Sequence, residues 1–197
     1  MITKLINPFR YIAGGYSLMI GIVILFFTAL IGFLSNTHFP DIISVKTSSD
    51  FPFNYHIFQI FSNWIIVSFI LYIISIIASN SKVRIIDIFG TQALARFPYL
   101  IVSFIGFSSS LNNLGKNLTR QFIQQGEPVE LSVFTIVIAI SLIFITLFLT
   151  VWLIVLMYNA FKISANLKGY KSILLFIAGL IISIFLSGLI SNLLIQA

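Results

Sequence analysis

From Leu131 to Tyr158 the chain runs 28 residues, LSVFTIVIAISLIFITLFLTVWLIVLMY, without one formally charged side chain. A soluble core helix has no use for so long a run. The hydrocarbon core of a bilayer is crossed by about 20 apolar residues, so this segment predicts a membrane-embedded chain. Composition agrees: 59% of the residues are hydrophobic and 8% charged, where soluble domains carry about a quarter charged residues. Too few polar residues remain for a separate soluble domain. The expectation is one transmembrane domain over residues 1–197, all-α, with short loops.

Five spans are predicted, at about 16–34, 57–78, 91–111, 131–158 and 172–194. Each can satisfy its own backbone hydrogen bonds as a helix, which lipid requires. The first follows Lys4 and Arg10 as a signal peptide would, but it is long enough to span and no A-x-A-like site follows, so it reads as an uncleaved helix. The third is the weakest. Phe97 to Leu111 is too short alone, and extending it to Thr91 takes in Arg96. Charge decides in its favour. With five spans and the N-terminus inside, Lys4, Arg10, Lys82, Arg84, Arg96, Lys162, Lys168 and Lys171 are inside, against Lys46, Lys116 and Arg120 outside. Eight against three is the asymmetry of positive-inside insertion. The C-terminus is then outside. The formal charge of +6 is thereby taken up by topology and lipid headgroups, and nucleic acid is not an expected partner.

Few constellations could carry chemistry. There is no cysteine, which excludes disulfides, thiolate metal sites and cysteine nucleophiles. His38 and His56 share the first outer loop with Asp41 and Asp50, but their spacing matches no compact ligand pattern; no metal or cofactor is expected. Gln59 and Asn63, four residues apart near the outer end of span two, share a helix face. They read as interhelical hydrogen-bond glue, or, more sharply, as the walls of a polar cleft. Gly179, Ser183, Ser187 and Ser191 recur every four residues along span five, a small-residue stripe for close helix packing, within the bundle or against a second copy or another membrane protein. Asn117-Leu118-Thr119 is a glycosylation sequon that matters only in a eukaryotic secretory membrane. The central portions of spans one, two, four and five carry no ionisable residue, and neither a P-loop, an HExxH nor a GxSxG is present. That argues against an enzyme and against an ion-coupled transporter.

The segment SNSKVRIIDIFGTQALARFPY alternates charges with apolar residues. It is expected to lie in the headgroup layer from Val83 to Phe89, to turn into span three at Gly90, and to hold Arg96 at headgroup level by snorkelling. Pro98 suits the first turn of the following helix. If the segment has a function, it is as a docking surface read through Arg84, Asp87, Gly90, Arg96 and Pro98.

The stretch DIFGTQALARFPYLIVSFIGF, with Gly90 leading into a helix that carries Pro98 early, resembles the bacterial branch of the Yip1 domain family, and NPFRYIAGGYSLMIGI is similar to the opening of Yip1-like proteins from Bacteroidota-type bacteria. The resemblance implies five spans, N-terminus inside and C-terminus outside. The acidic-aromatic motif of the vesicle-traffic members is absent, so their role is not implied. High Ile, Phe and Asn usage points to an AT-rich bacterial genome. The expected function is a non-enzymatic inner-membrane scaffold or accessory subunit, with the lipid bilayer and another membrane protein or itself as partners. The alternative is a small-molecule or lipid permease built around Gln59 and Asn63.

Overall fold

The computed structural model describes residues 6–47, 51–124, 127 and 129–196. Lys4, Asp50 and, within QQGEP, Gln125, Gly126 and Pro128 lie outside the described residues. Helix makes up about 77% of the structure, with almost no strand. A single 3-10 turn, Pro8–Arg10, precedes α1 (Gly14–Leu34), α2 (Phe53–Ala78), α3 (Ile85–Leu94), α4 (Phe97–Ile105), α5 (Ser109–Phe122), α6 (Val133–Ser164) and α7 (Gly169–Gln196). Between α1 and α2, β1 (Thr37–His38) pairs antiparallel with β2 (Lys46–Thr47), with Thr37 opposite Thr47 and His38 opposite Lys46. Five helices are long and apolar enough to cross a membrane: α1, α2, the rod Ile85–Ile105 made of α3 and α4, α6, and Gly169–Leu193 of α7. This is an integral membrane protein.

Local chemistry sets the helix ends. Gly14, at φ +63, opens α1 in the left-handed region that a side chain resists. Asn36 and Asn166, both at φ 51, follow the C-caps of α1 and α6, where a left-handed residue closes a helix. Ser132 caps α6 by accepting a hydrogen bond from the Thr135 amide at 3.2 Å.

The third span differs from the expectation. It starts at Ile85, six residues before the predicted Thr91, and Gly90 lies inside α3 instead of marking a turn. Ile88, Gly90, Thr91, Gln92 and Ala93 are all buried, whereas Ile85 and Ile86 are exposed, so the chain enters the bundle from Ile88 onward. The reason is a close helix crossing. A Cβ on Gly90 would stand 2.8 Å from the Gly14 carbonyl oxygen and 2.9 Å from the Leu18 nitrogen, and one on Gly21 would overlap Ala93. Glycines on both helices let the backbones meet. The 67% buried window of this span has mean hydropathy 1.4, whereas the other four, 17–39% buried, lie at 2.3–2.8. A helix surrounded by protein needs fewer apolar side chains than one facing lipid. The break between α3 and α4 falls at Ala95 and Arg96. Pro98 causes it: its ring displaces the carbonyl four residues back, that of Leu94, and it has no amide to donate there.

Contacts fix the helix directions. Gly14 meets Gly90 and the side chains of Arg84 and Asp87, Gly21 meets Ala93, and Ser35 meets Gly106, so α1 and the third span run parallel. Lys171, at the start of α7, donates to the carbonyl of Ala78, at the end of α2, at 3.1 Å. Tyr55 and Gln59, at the start of α2, meet Ser191 near the end of α7. The helices α2 and α7 therefore run antiparallel. Arg10, Lys82, Arg84, Lys162, Lys168 and Lys171 gather at one end of the bundle, and the hairpin and α5 lie at the other.

The helix α5 occupies a stretch expected to be loop. Leu111, Leu114, Leu118 and Phe122 recur at helical spacing along it, and Ser108 accepts a hydrogen bond from the Leu111 amide at 3.4 Å. Asn117, of the sequon, is tied on both sides of its amide to Val129, at 2.8 and 2.9 Å.

Replacing Gly21 by Val should lower thermal stability in detergent, because overpacking a close crossing costs about 1–3 kcal/mol. Gly115→Ala, where a Cβ meets nothing within 4 Å, should be neutral or stabilising by up to ~1 kcal/mol on helix propensity. Equal melting temperatures for the two variants would show that the glycine contact does not hold α1 to α3.

Candidate functional site

The segment after α1 does not stay at the surface. Thr37 lies beside Gly106, at the end of α4. Two residues later Phe39 is fully buried and stacks on Tyr99, with ring centroids 4.7 Å apart. Gly106 and Tyr99 are seven residues apart on one rod, so at 1.5 Å per residue the loop descends about 10 Å into the bundle. Non-helical backbone at such depth needs partners, since lipid offers none. Span two supplies them. The Phe39 amide donates to Gln59 Oε1 at 2.7 Å. Asn63 Nδ2 donates to the carbonyls of Phe39 at 2.7 Å and Asp41 at 3.0 Å. The Asp41 carboxylate then turns the loop back by accepting from the Ile43 and Ser44 amides, both at 2.9 Å, as an Asx turn does.

Gln59 and Asn63 do share a face. What they grip is a loop as well as a helix. Gln59 Nε2 also donates to Ser191 Oγ at 3.1 Å and to the Tyr55 hydroxyl at 3.2 Å. Ser191 belongs to the small-residue stripe, whose Ser183, Ser187 and Ser191 are buried. A Cβ on Gly179 would approach Ile74 and Leu71 side chains at 2.8 and 2.9 Å, so the stripe faces α2. Ser183 and Ser187 return their hydroxyls to carbonyls of their own helix.

Arg96 departs most from its expected place. It lies eleven residues after Ile85 in a span ending at Ile105, about 17 Å along it at 1.5 Å per residue, and is 3% exposed. Expected at headgroup depth, it sits instead at the middle of the third span. The helix break at Ala95 and Arg96 places it there, and its Nη2 donates to the Asn63 carbonyl at 3.1 Å. Arg96 therefore holds the helix that carries the clamp. Its Nε makes no hydrogen bond among the described residues. The ion pair between charged side chains among the described residues is Arg84 with Asp87, at 3.4 Å.

Of the other residues expected to form a docking surface, Gly90 and Pro98 are buried. Burial removes them, like Arg96, from any partner's reach. Arg84 and Asp87 remain accessible, with side chains 69% and 26% exposed. They border a hollow of about 380 Å³ with Gly14 and Ser164.

His38 and His56 are both buried. His38 packs edge-on to Phe51 at 5.1 Å, and Phe51 stacks on Tyr55 at 4.1 Å. Burial lowers the His38 pKa from 6.5 to about 4, helped by His56 and Lys46. Among the described residues no three His, Asp or Glu side chains gather as a metal site.

Three polar residues of the bundle escaped the sequence reading. Trp64 Nε1 donates to the Phe89 carbonyl at 2.9 Å, Gln92 Nε2 to the Met157 carbonyl at 3.0 Å, and Thr91 meets the Ser164 hydroxyl at 2.9 Å. The signal was the Thr91-Gln92 pair inside a span, since polar side chains in a transmembrane helix mark the faces that meet other helices.

Fold and site together define a helical integral membrane protein whose spans enclose a clamped loop. No family model, curated protein or solved structure matches the chain.

Asn63→Leu removes both donors from the Phe39 and Asp41 carbonyls. A buried group left unsatisfied costs about 1–3 kcal/mol, so this variant should melt well below wild type in detergent, while Ser62→Ala should change little. A wild-type melting temperature for Asn63→Leu would remove the clamp from the account.

His38 gives a pH dependence. Its folded pKa lies below the unfolded value, so the unfolded chain takes up the proton first as pH falls. Stability should be full above 6.5 and decline as pH falls towards about 4. His38→Asn should flatten the melting temperature over that window; an unchanged slope would exclude His38 as its source.

Proposed function

We propose that this chain is a non-enzymatic protein of a bacterial inner membrane, a scaffold or accessory subunit of a membrane process, with a Yip1-like arrangement. One observation carries the reading. Five polar side chains inside the bundle hydrogen-bond the chain's own backbone: Gln59 and Asn63 the loop, Arg96 α2, Gln92 α6 and Trp64 α3. A permease cleft at Gln59 and Asn63 needs amides free to meet a solute. The amide hydrogens of Asn63 go to two carbonyls, and those of Gln59 to Tyr55 and Ser191. The N-terminus is inside and the C-terminus outside. This is supported by the basic residues gathered at one end of the bundle, the end that positive-inside insertion keeps in the cytoplasm.

Two measurements on one tagged chain test this. Native gels of mildly solubilised membranes should find it in a defined larger assembly, and proteoliposomes carrying it should exchange small solutes and lipids no faster than empty ones. A chain that migrates alone and speeds exchange, with the gain lost in Asn63→Leu, would replace the scaffold with the permease. Reporters fused near Lys168 and after the last residue should read inside and outside respectively; both on one side would discard the five-span threading.

A further inference from the structure

A groove of about 460 Å³ opens on the other side of the clamped loop. The hairpin forms one wall through Ile43, Ser44 and Thr47, α4 a second through Val102 and Ile105, and α6 a third through Ile143, Thr146, Leu147 and Thr150. All its lining residues are uncharged. We propose that this groove is a binding site for one acyl chain of a glycerolipid drawn from the surrounding bilayer. The inference goes beyond the scaffold reading and does not rest on it.

Three features select hydrocarbon. The first is the chemistry of the α6 wall. Thr146 and Thr150 look polar in sequence, but each hydroxyl donates to a carbonyl four residues back, Leu142 and Thr146, at 2.9 Å. What they turn outward is largely methyl group. A water needs two to four polar partners to settle in a cavity, and this wall has no hydroxyl hydrogens left to give.

The second feature is continuity. Ile143 and Leu147 line the groove and are also 42% and 57% exposed on the outer face of α6, beside the exposed Phe144 and Phe148. In an integral membrane protein that face meets lipid, so the groove opens sideways into the bilayer. The third is depth. Thr146 lies thirteen residues into the 32-residue α6, about 20 Å along it at 1.5 Å per residue. A chain entering at the hairpin rim, past Ser44 and Thr47, would run down an apolar wall as lipid tails run down from their ester groups.

The test uses the full chain in nanodiscs of phosphatidylcholine doped with phosphatidylcholine bearing a mid-chain diazirine. After irradiation, mapped adducts should be several-fold denser on residues 101–106 and 143–150 than around Ile181 and Phe185, which face outward on α7. Thr146→Trp fills the groove and should abolish the excess while α7 labelling is unchanged. Should that variant not fold, Thr146→Leu is the milder filling and should reduce the excess in part. Equal labelling of groove and α7 overturns the proposal. So does an excess that survives groove filling in a folded variant.

Discussion

Irregular backbone inside a membrane protein must bring its hydrogen-bond partners with it, and here two amides do so. Gln59 and Asn63 receive the loop after α1 and convert buried peptide groups into satisfied ones. Much else is arranged around that contact. Arg96 binds the Asn63 carbonyl, Tyr99 stacks on Phe39, and Ser191 meets Gln59 from α7. Remove the amides, and α1, α2, α4 and α7 lose the piece they share.

The third span shows how a bundle protects its centre. Lipid-facing helices announce themselves by hydropathy. A helix ringed by others is defined by small residues and polar handles, and this one has both: Gly90 against α1, Thr91 and Gln92 against α6, and Arg96 against α2. The cost of a charge in the membrane depends on what surrounds it. For Arg96 the surroundings are protein, and the Asn63 carbonyl meets its guanidinium at mid-span, where headgroup depth was expected.

Legibility in the sequence followed the same division. Five spans could be read because uncharged apolar runs reflect a solvent, and lipid acts on each helix separately. The shared face of Gln59 and Asn63 was also legible, being local geometry. Their target was not, because Phe39 lies some twenty residues away and nothing in its own neighbourhood marks it as buried. Charge misled at residues 82–96. Lys82, Arg84 and Asp87 do lie at an end, but the helix they introduce is buried from Ile88 onward, packed by a glycine contact with α1 that no local pattern reveals. The amphipathic α5 carried a readable period and was passed over because its polar face resembled loop.

The clamp also bears on how the chain is made. A helix is self-sufficient as soon as it enters lipid, but residues 39–41 are not. Their partners belong to α2, synthesised after them, and the aromatic ring that covers Phe39 belongs to α4, later still. Until those helices arrive, the peptide groups of Phe39 and Asp41 have nowhere in the hydrocarbon to bond. The loop must therefore wait near the headgroups and sink only once the first three spans have gathered, so α1 enters the membrane early and acquires its finished end late.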